Sequence, residues 1–134
     1  TERVLEVGTG SGYQTAILSD LAAEVHTIEL IPALADRARN ALAELGLKNV
    51  FIHIGDGSLG WIESAPYNAI IVSAAAPRVP KPLLNQLALH GRMILPVGEM
   101  GFQELELWTR KGESFTRETL LSVAFVPLRG KEGV

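Results

Sequence analysis

Three carboxylates and a run of glycines hold the residues best suited to chemistry. Glu6-Val7-Gly8-Thr9-Gly10-Ser11-Gly12 places glycine at alternate positions directly after a short apolar run, Val4 to Val7. Glu29 closes a second such run, and Asp56-Gly57 follows a third. Glycine lets a backbone approach a ligand where a Cβ would collide, and a helix starting just beyond offers unpaired N–H groups. Together these features suit a nucleoside. In open α/β sheets ligands sit beyond the carboxyl ends of the strands, so Glu29 is placed to accept both hydroxyls of a ribose. The other reading of Glu29 is a solvated charge favoured near the next helix's N-terminus. Asp56 either accepts from an adenine amino group, with the adjacent N–H meeting a ring nitrogen, or belongs to an ordinary Asp-Gly turn.

The glycine spacing selects among nucleotide motifs. A dinucleotide fingerprint is GxGxxG, whose third glycine allows close helix–strand packing around a pyrophosphate. Here that position is Tyr13, and the Gly-Lys-Ser/Thr of a phosphate P-loop is also absent. What remains is acidic-x-Gly-x-Gly-x-Gly, which resembles motif I of the S-adenosylmethionine-dependent methyltransferases. An acidic residue near the turn suits a sulfonium cation better than a phosphate. Glu6 either hydrogen-bonds the glycine loop or reaches the ligand's amino group through water, and Trp61 either covers an adenine or plugs its loop onto the core.

Bulk properties narrow the class. A chain of 134 residues, 47% of them hydrophobic, suffices for one domain with one core. No stretch approaches the roughly 20 apolar residues of a membrane span. Twelve basic against 15 acidic residues give a net charge of −3, and no basic run favours a nucleic-acid backbone. Cysteine is absent, which excludes disulfides and thiolate metal sites and is compatible with the cytoplasm. His26, His53 and His90 are far apart and lack metal-ligand spacing, so each reads as structural.

The elements that must position these residues alternate between strand and helix, the pattern of a parallel sheet with helices on both faces. Helix is expected over Gln14 to Leu21, strand over Glu24 to Glu29, and helix from Pro32 to about Leu45 with Gly46 as its C-cap. Strands follow at Asn49 to Ile54 and Tyr67 to Ser73, separated by a glycine-rich loop around Trp61. A helix is expected from near Lys81 to just before Gly91, then a strand over Arg92 to Val97. Beyond Gly98 the pattern becomes a hairpin: a strand over Glu104 to Arg110, a turn at Lys111-Gly112-Glu113 and a strand over Thr119 to Val126. Trp108 reads as packing within it. Arg129 to Val134 is polar and expected to fray.

Taken together, the segments resemble the protein-L-isoaspartate O-methyltransferases. The likeness is carried by Leu5-Glu6-Val7-Gly8-Thr9-Gly10-Ser11-Gly12-Tyr13, Gly55-Asp56-Gly57, Gly60-Trp61, Ala65-Pro66-Tyr67, Ala74-Ala75-Ala76-Pro77, Gln86-Leu87, Gly91-Arg92, Leu95-Pro96-Val97-Gly98 and Phe125-Val126-Pro127-Leu128, in family order. It implies a Rossmann-like α/β fold, doubly wound and mostly parallel with a C-terminal antiparallel hairpin. It also implies a single cofactor-binding domain over residues 1–134. S-adenosylmethionine, leaving as S-adenosylhomocysteine, would be held by Glu6, Gly8, Thr9, Gly10, Ser11, Gly12, Glu29, Leu30, Asp56 and Gly57. The acceptor would be the carboxylate of L-isoaspartyl residues in damaged peptides and proteins, with the segments at Ala75 to Pro77 and Val126 to Leu128 bordering the peptide cleft. Neither nucleic acid nor membrane is expected as a partner, and a monomer is favoured.

The reaction implied is an in-line displacement by a carboxylate oxygen on the sulfonium methyl. A carboxylate with a pKa of ~4 is ionised at neutral pH, so no catalytic base and no metal is expected. Alignment supplies most of the acceleration, for which intramolecular models allow roughly 7–11 kcal/mol. Family members carry helices and a serine motif ahead of motif I, whereas the first strand here begins at residue 3. Ser11, Ser58 and Ser73 lie in other motifs and do not stand in for that serine. The expectation is therefore a truncated chain that binds the cofactor and methylates poorly or not at all. Three alternatives stand beside it: a methyltransferase of the same fold acting on a small molecule or RNA, a cofactor-binding module without catalysis, and a nicotinamide-dependent oxidoreductase, which Tyr13 disfavours.

Overall fold

The computed structural model describes residues 1–99 and 101–134. Its centre is β1 (Arg3–Val7), whose buried, largely apolar residues suit a strand covered on both faces. The chain then builds outward through α1 (Tyr13–Leu21), β2 (Glu24–Glu29), α2 (Pro32–Glu44) and β3 (Val50–Ile54). Two 3₁₀ turns, Gly57–Leu59 and Ile62–Ser64, lead to β4 (Tyr67–Val72), which pairs with the opposite side of β1. After α3 (Lys81–Asn85) come β5 (Leu87–Glu99), β6 (Phe102–Lys111) and β7 (Ser114–Val123). The sheet order is β3-β2-β1-β4-β5-β6-β7, parallel from β3 through β5 and antiparallel thereafter. This is the expected α/β architecture, and it also supplies the order of the last two strands. Because β1 lies between β2 and β4, successive connections leave it in opposite directions, which opens a crevice at its carboxyl end.

Register divides the side chains between two faces. Leu5, Val7, Ile28, Ile70, Val72, Met93 and Leu95 point to one side, where Leu83, Leu84, Leu87 and Leu128 complete a buried cluster. The other side carries Val4, Glu6, Val25 and Thr27, all buried, as are Ala35, Ala38 and Leu42 of α2.

Three expectations are corrected. The helix from Lys81 ends at Asn85, and the following strand begins at Leu87 rather than Arg92. Leu83, Leu84 and Leu87 have helical spacing, but the Gln86 carbonyl accepts from Tyr67 N–H (2.8 Å), starting the ladder early. His90 at φ 66° and Gly91, where a Cβ would lie 2.8 Å from the Ala88 carbonyl, then form a bulge. The last strand spans Ser114–Val123 instead of Thr119 to Val126, because pairing with β6 starts at the tight turn, Lys111 opposite Ser114. Arg129 to Val134 does not fray: Lys131 N–H donates to Asp56 Oδ2 (2.8 Å), Glu132 N–H to Ser58 Oγ (3.0 Å) and Val134 N–H to the Leu128 carbonyl (2.8 Å).

Candidate functional site

The glycine turn has the left-handed backbone its sequence allows. Gly8, Gly10 and Gly12 have φ of 98°, 56° and 87°, a region L side chains rarely adopt. Gly8 N–H donates to the Ile28 carbonyl (2.9 Å), tying the end of β1 to β2, and Gly12 serves as N-cap of α1. Glu29 closes the turn from the neighbouring strand. Its Oε1 accepts from Gly10 N–H (3.1 Å) and its Oε2 from Ile31 N–H (3.2 Å). A carboxylate has about four acceptor positions, so two are left unfilled by the described residues on a side chain that lines the crevice.

Glu6 lies behind this turn and is fully buried. It accepts from the Thr15 hydroxyl, from Thr27 Oγ1 (2.7 Å) and from Gln14 Nε2 (3.0 Å), so it ties β1 to α1 and β2 rather than to the glycine loop. Burial raises its pKa, and the bonds from Thr15, Thr27 and Gln14 draw it back only in part. Gln14 Nε2 also reaches Ser73 Oγ (3.3 Å), linking the glycine helix to the end of β4. Thr9 is buried with its hydroxyl 2.7 Å from that of Thr27.

The crevice at the strand ends is lined on one side by Val7, Gly8, Ile28, Glu29, Leu30, Ile31 and Gly57, and on the other by Ala74 and Val126 through Arg129. Of the residues expected to hold a ligand, Gly8, Glu29, Leu30 and Gly57 therefore line it together. Gly10 joins them through Glu29, while Ser11 is exposed at the start of α1. Gly57 has no room for a side chain: an added Cβ would lie 2.5 Å from Val7 Cγ1. Asp56 lies between Gly57 and the segment after Arg129, next to the lining residues rather than among them. Its Oδ1 accepts from Ser58 N–H (3.0 Å) and Ser58 Oγ (2.6 Å), its Oδ2 from Lys131. Burial pushes its pKa up, but the Lys131 N–H, the two Ser58 bonds and the Lys131 charge outweigh it and hold the carboxyl below its usual range.

The opposite wall is a strap. After β7 the chain crosses the strand ends, held by Gln103, whose Oε1 accepts from Phe125 N–H (2.7 Å) and whose Nε2 donates to the Phe125 carbonyl (3.0 Å). Ala75 then pairs with it on both sides, its N–H donating to the Val126 carbonyl and its carbonyl accepting from Leu128 N–H, each at 2.7 Å. The segments at Ala75 to Pro77 and Val126 to Leu128 thus meet, and a second, mostly apolar cleft lined by Ala75, Pro77, Gly98, Gln103 and Pro127 lies beside them.

Trp61 plugs its loop instead of facing the crevice. It stacks on His53 with ring centroids 4.0 Å apart, its N–H donates to Gln86 Oε1 (2.9 Å) and its carbonyl accepts from the Tyr67 hydroxyl. Trp108 packs against the core, as expected. His26 and His53, distant in sequence, meet across β2 and β3 with Nδ1 and Nε2 2.9 Å apart, while His26 Nε2 lies 2.6 Å from Glu24 Oε1. Among the described residues no cluster suits a metal and no helix is long and apolar enough to cross a membrane. Thr27 and Gln103 are not singled out by the sequence, and Gln86 enters only through the family likeness; Thr27, polar within a buried strand, carries a signal that would have exposed it.

A model of the family described as protein-L-isoaspartate(D-aspartate) O-methyltransferase matches residues 1–133. The chain belongs to that family. The protein-L-isoaspartate O-methyltransferase of Dictyoglomus thermophilum is 52% identical over 132 residues, covering 98% of this chain and 60% of its own length. That of Anaeromyxobacter dehalogenans is 56% identical over 130 residues, with coverages of 95% and 62%. The chain thus spans about three fifths of the length of these curated relatives. A solved protein-L-isoaspartate O-methyltransferase superposes with a TM-score of 0.90 at 29% identity, covering 98% of this chain and 43% of the other. A Plasmodium falciparum protein described by the same enzyme name, solved in complex with S-adenosyl-L-homocysteine, gives 0.79 at 26% identity, with 96% and 66% covered.

Proposed function

We propose that this protein binds S-adenosylmethionine in the crevice between the glycine turn and the strap. In this reading it methylates the carboxylate of L-isoaspartyl residues in damaged proteins and peptides, the first step of their repair. The observation that carries the cofactor is Glu29, which lines the crevice and is fixed by Gly10 and Ile31 with two acceptor positions left unfilled by the described residues. A pair of vicinal hydroxyls fits those positions. Gly8 and Gly10 allow the amino-acid end of the ligand to lie against backbone, and Leu30, Ile31 and Gly57 give the adenine apolar walls. The residues therefore fit the group.

When bound, the cofactor supplies an electrophilic methyl on a sulfonium. The chain's own work is to hold, orient and exclude water, because an ionised acceptor carboxylate needs no base. Glu29 fixes the ribose, and the pairing of Ala75 with Val126 and Leu128 joins the crevice to the apolar cleft, where we seat the peptide. We place the protein in the cytoplasm, acting on peptides rather than nucleic acid, in keeping with its net charge of −3.

The test is methyl transfer from labelled S-adenosylmethionine to an isoaspartyl peptide and to the same peptide with normal aspartate. Transfer to the isoaspartyl peptide alone is expected, poor with these 134 residues and faster with a chain extended upstream to the length of the relatives. Equal labelling of both peptides, or of neither by the extended chain while S-adenosylhomocysteine binds, would remove the acceptor and leave only the cofactor.

A further inference from the structure

The residues after Leu128 do more than end the strap. From the Ala75 pairing the chain continues past Arg129, which lines the crevice, and reaches the loop after β3. There Lys131 N–H donates to Asp56 Oδ2 at 2.8 Å and Glu132 N–H to Ser58 Oγ at 3.0 Å. The fit is close: a Cβ on Gly130, whose φ is 144°, would lie 2.0 Å from Asp56 Oδ1, and one on Gly133 would lie 2.2 Å from the Leu128 carbonyl. Asp56 accepts three hydrogen bonds among the described residues, two from Ser58 and one from Lys131. Of the roughly four acceptor positions on a carboxylate, one is left. That single position matches one N–H of an exocyclic amine.

Building on the cofactor reading above, we infer that the Lys131 backbone N–H is a positioning group for the adenosyl ligand. It orients Asp56 so that its last acceptor position meets the adenine amino group, and docking of residues 129–134 is thereby coupled to ligand binding. The coupling runs through one carboxylate shared by strap and ligand. With the Lys131 bond missing, Asp56 is held on the Ser58 side only, and the far wall of the crevice keeps only the Glu132–Ser58 bond to the loop after β3. The ligand then leaves faster.

Two substitutions at one position separate backbone from side chain. Lys131→Pro removes the N–H, whereas Lys131→Ala keeps it and removes only the charge. S-adenosylhomocysteine affinity and dissociation rate are measured for the parent chain and both variants, together with amide hydrogen exchange of Glu132 and Val134 in each ligand-free chain. The expected result is at least a fivefold weaker affinity for Lys131→Pro, carried mainly by the dissociation rate, with faster exchange at Glu132. Lys131→Ala, which keeps the N–H, should lose much less affinity than Lys131→Pro at neutral pH. The affinity loss in Lys131→Pro should also deepen as pH falls from 6 to 4, since the freed Asp56 protonates more readily, a response a purely structural role would not produce. Parent-like binding by Lys131→Pro would overturn the inference while leaving the cofactor reading intact. Failure of all three chains to bind would overturn the cofactor reading and this inference with it.

Discussion

Replacing Glu29 by Gln tests the crevice at its most constrained point. The carboxylate accepts from Gly10 N–H at 3.1 Å and Ile31 N–H at 3.2 Å while 8% exposed, so both oxygens already have fixed partners. A Gln side chain has one carbonyl oxygen, and its amide nitrogen has hydrogens where the second backbone N–H points. One backbone bond is therefore lost, costing about 1 kcal/mol of stability and lowering the melting temperature by roughly 4 °C for a chain of this size. The ligand loses more. Hydrogen bonds to charged groups contribute about 1.5–3 kcal/mol, and Glu29→Gln removes at least one of the two offered to the ribose. At 1.4 kcal/mol per tenfold, S-adenosylhomocysteine affinity should fall about 10- to 150-fold by calorimetric titration. A ligand lacking both ribose hydroxyls should bind parent and variant alike. Affinity for S-adenosylhomocysteine within twofold of the parent, with the melting temperature little changed, would refute the role given to Glu29.

The other predictions concern the scaffold. Gly57→Ala forces a methyl group against Val7 Cγ1 at 2.5 Å, and the expected cost of such overpacking is ~1–3 kcal/mol by urea denaturation, accompanied by weaker ligand binding because Gly57 lines the crevice. His53 should give an acid-sensitive stability. Burial and the neighbouring His26 lower the His53 pKa, with Glu63 opposing them, so the unfolded chain binds the extra proton first. Stability should thus fall as pH drops below about 6.5, and His53→Phe, which keeps a ring against Trp61, should flatten that slope in thermal melts. The groups facing the pair are Glu24, Arg3, Tyr67 and Glu63, and substitution of none of them should abolish the slope as His53→Phe does.

The parts of this fold legible in the sequence are those written in side chains. The carboxyl end of β2 is legible because Glu29 and Pro32 mark it, and α2 ends within a residue of expectation because Gly46, at φ 69°, stops it. The glycine turn follows from spacing, and Glu29 from its place at the end of the second strand. What escaped was held by backbone groups, which leave no compositional trace. The docking of Arg129 to Val134 rests on the N–H groups of Lys131, Glu132 and Val134, so a polar tail looked free. Asp56 was placed near the ligand by its strand-end position, but nothing in its neighbours shows that Ser58 and a segment 75 residues away share it. His26 and His53 meet only because β2 and β3 run parallel with Ile28 opposite His53. The early start of β5 was hidden because Leu83, Leu84 and Leu87 read equally well as a helical face.

The central claim is that the crevice beyond β1 is an adenosyl site. Amide chemical shifts followed during titration with S-adenosylhomocysteine, and in parallel with a nicotinamide dinucleotide, test it most directly. The account predicts saturable shifts centred on Gly8, Gly10, Glu29, Leu30, Gly57 and Leu128 with the first ligand and none of comparable affinity with the second. Shifts confined to another surface, or tighter binding of the dinucleotide, would contradict it.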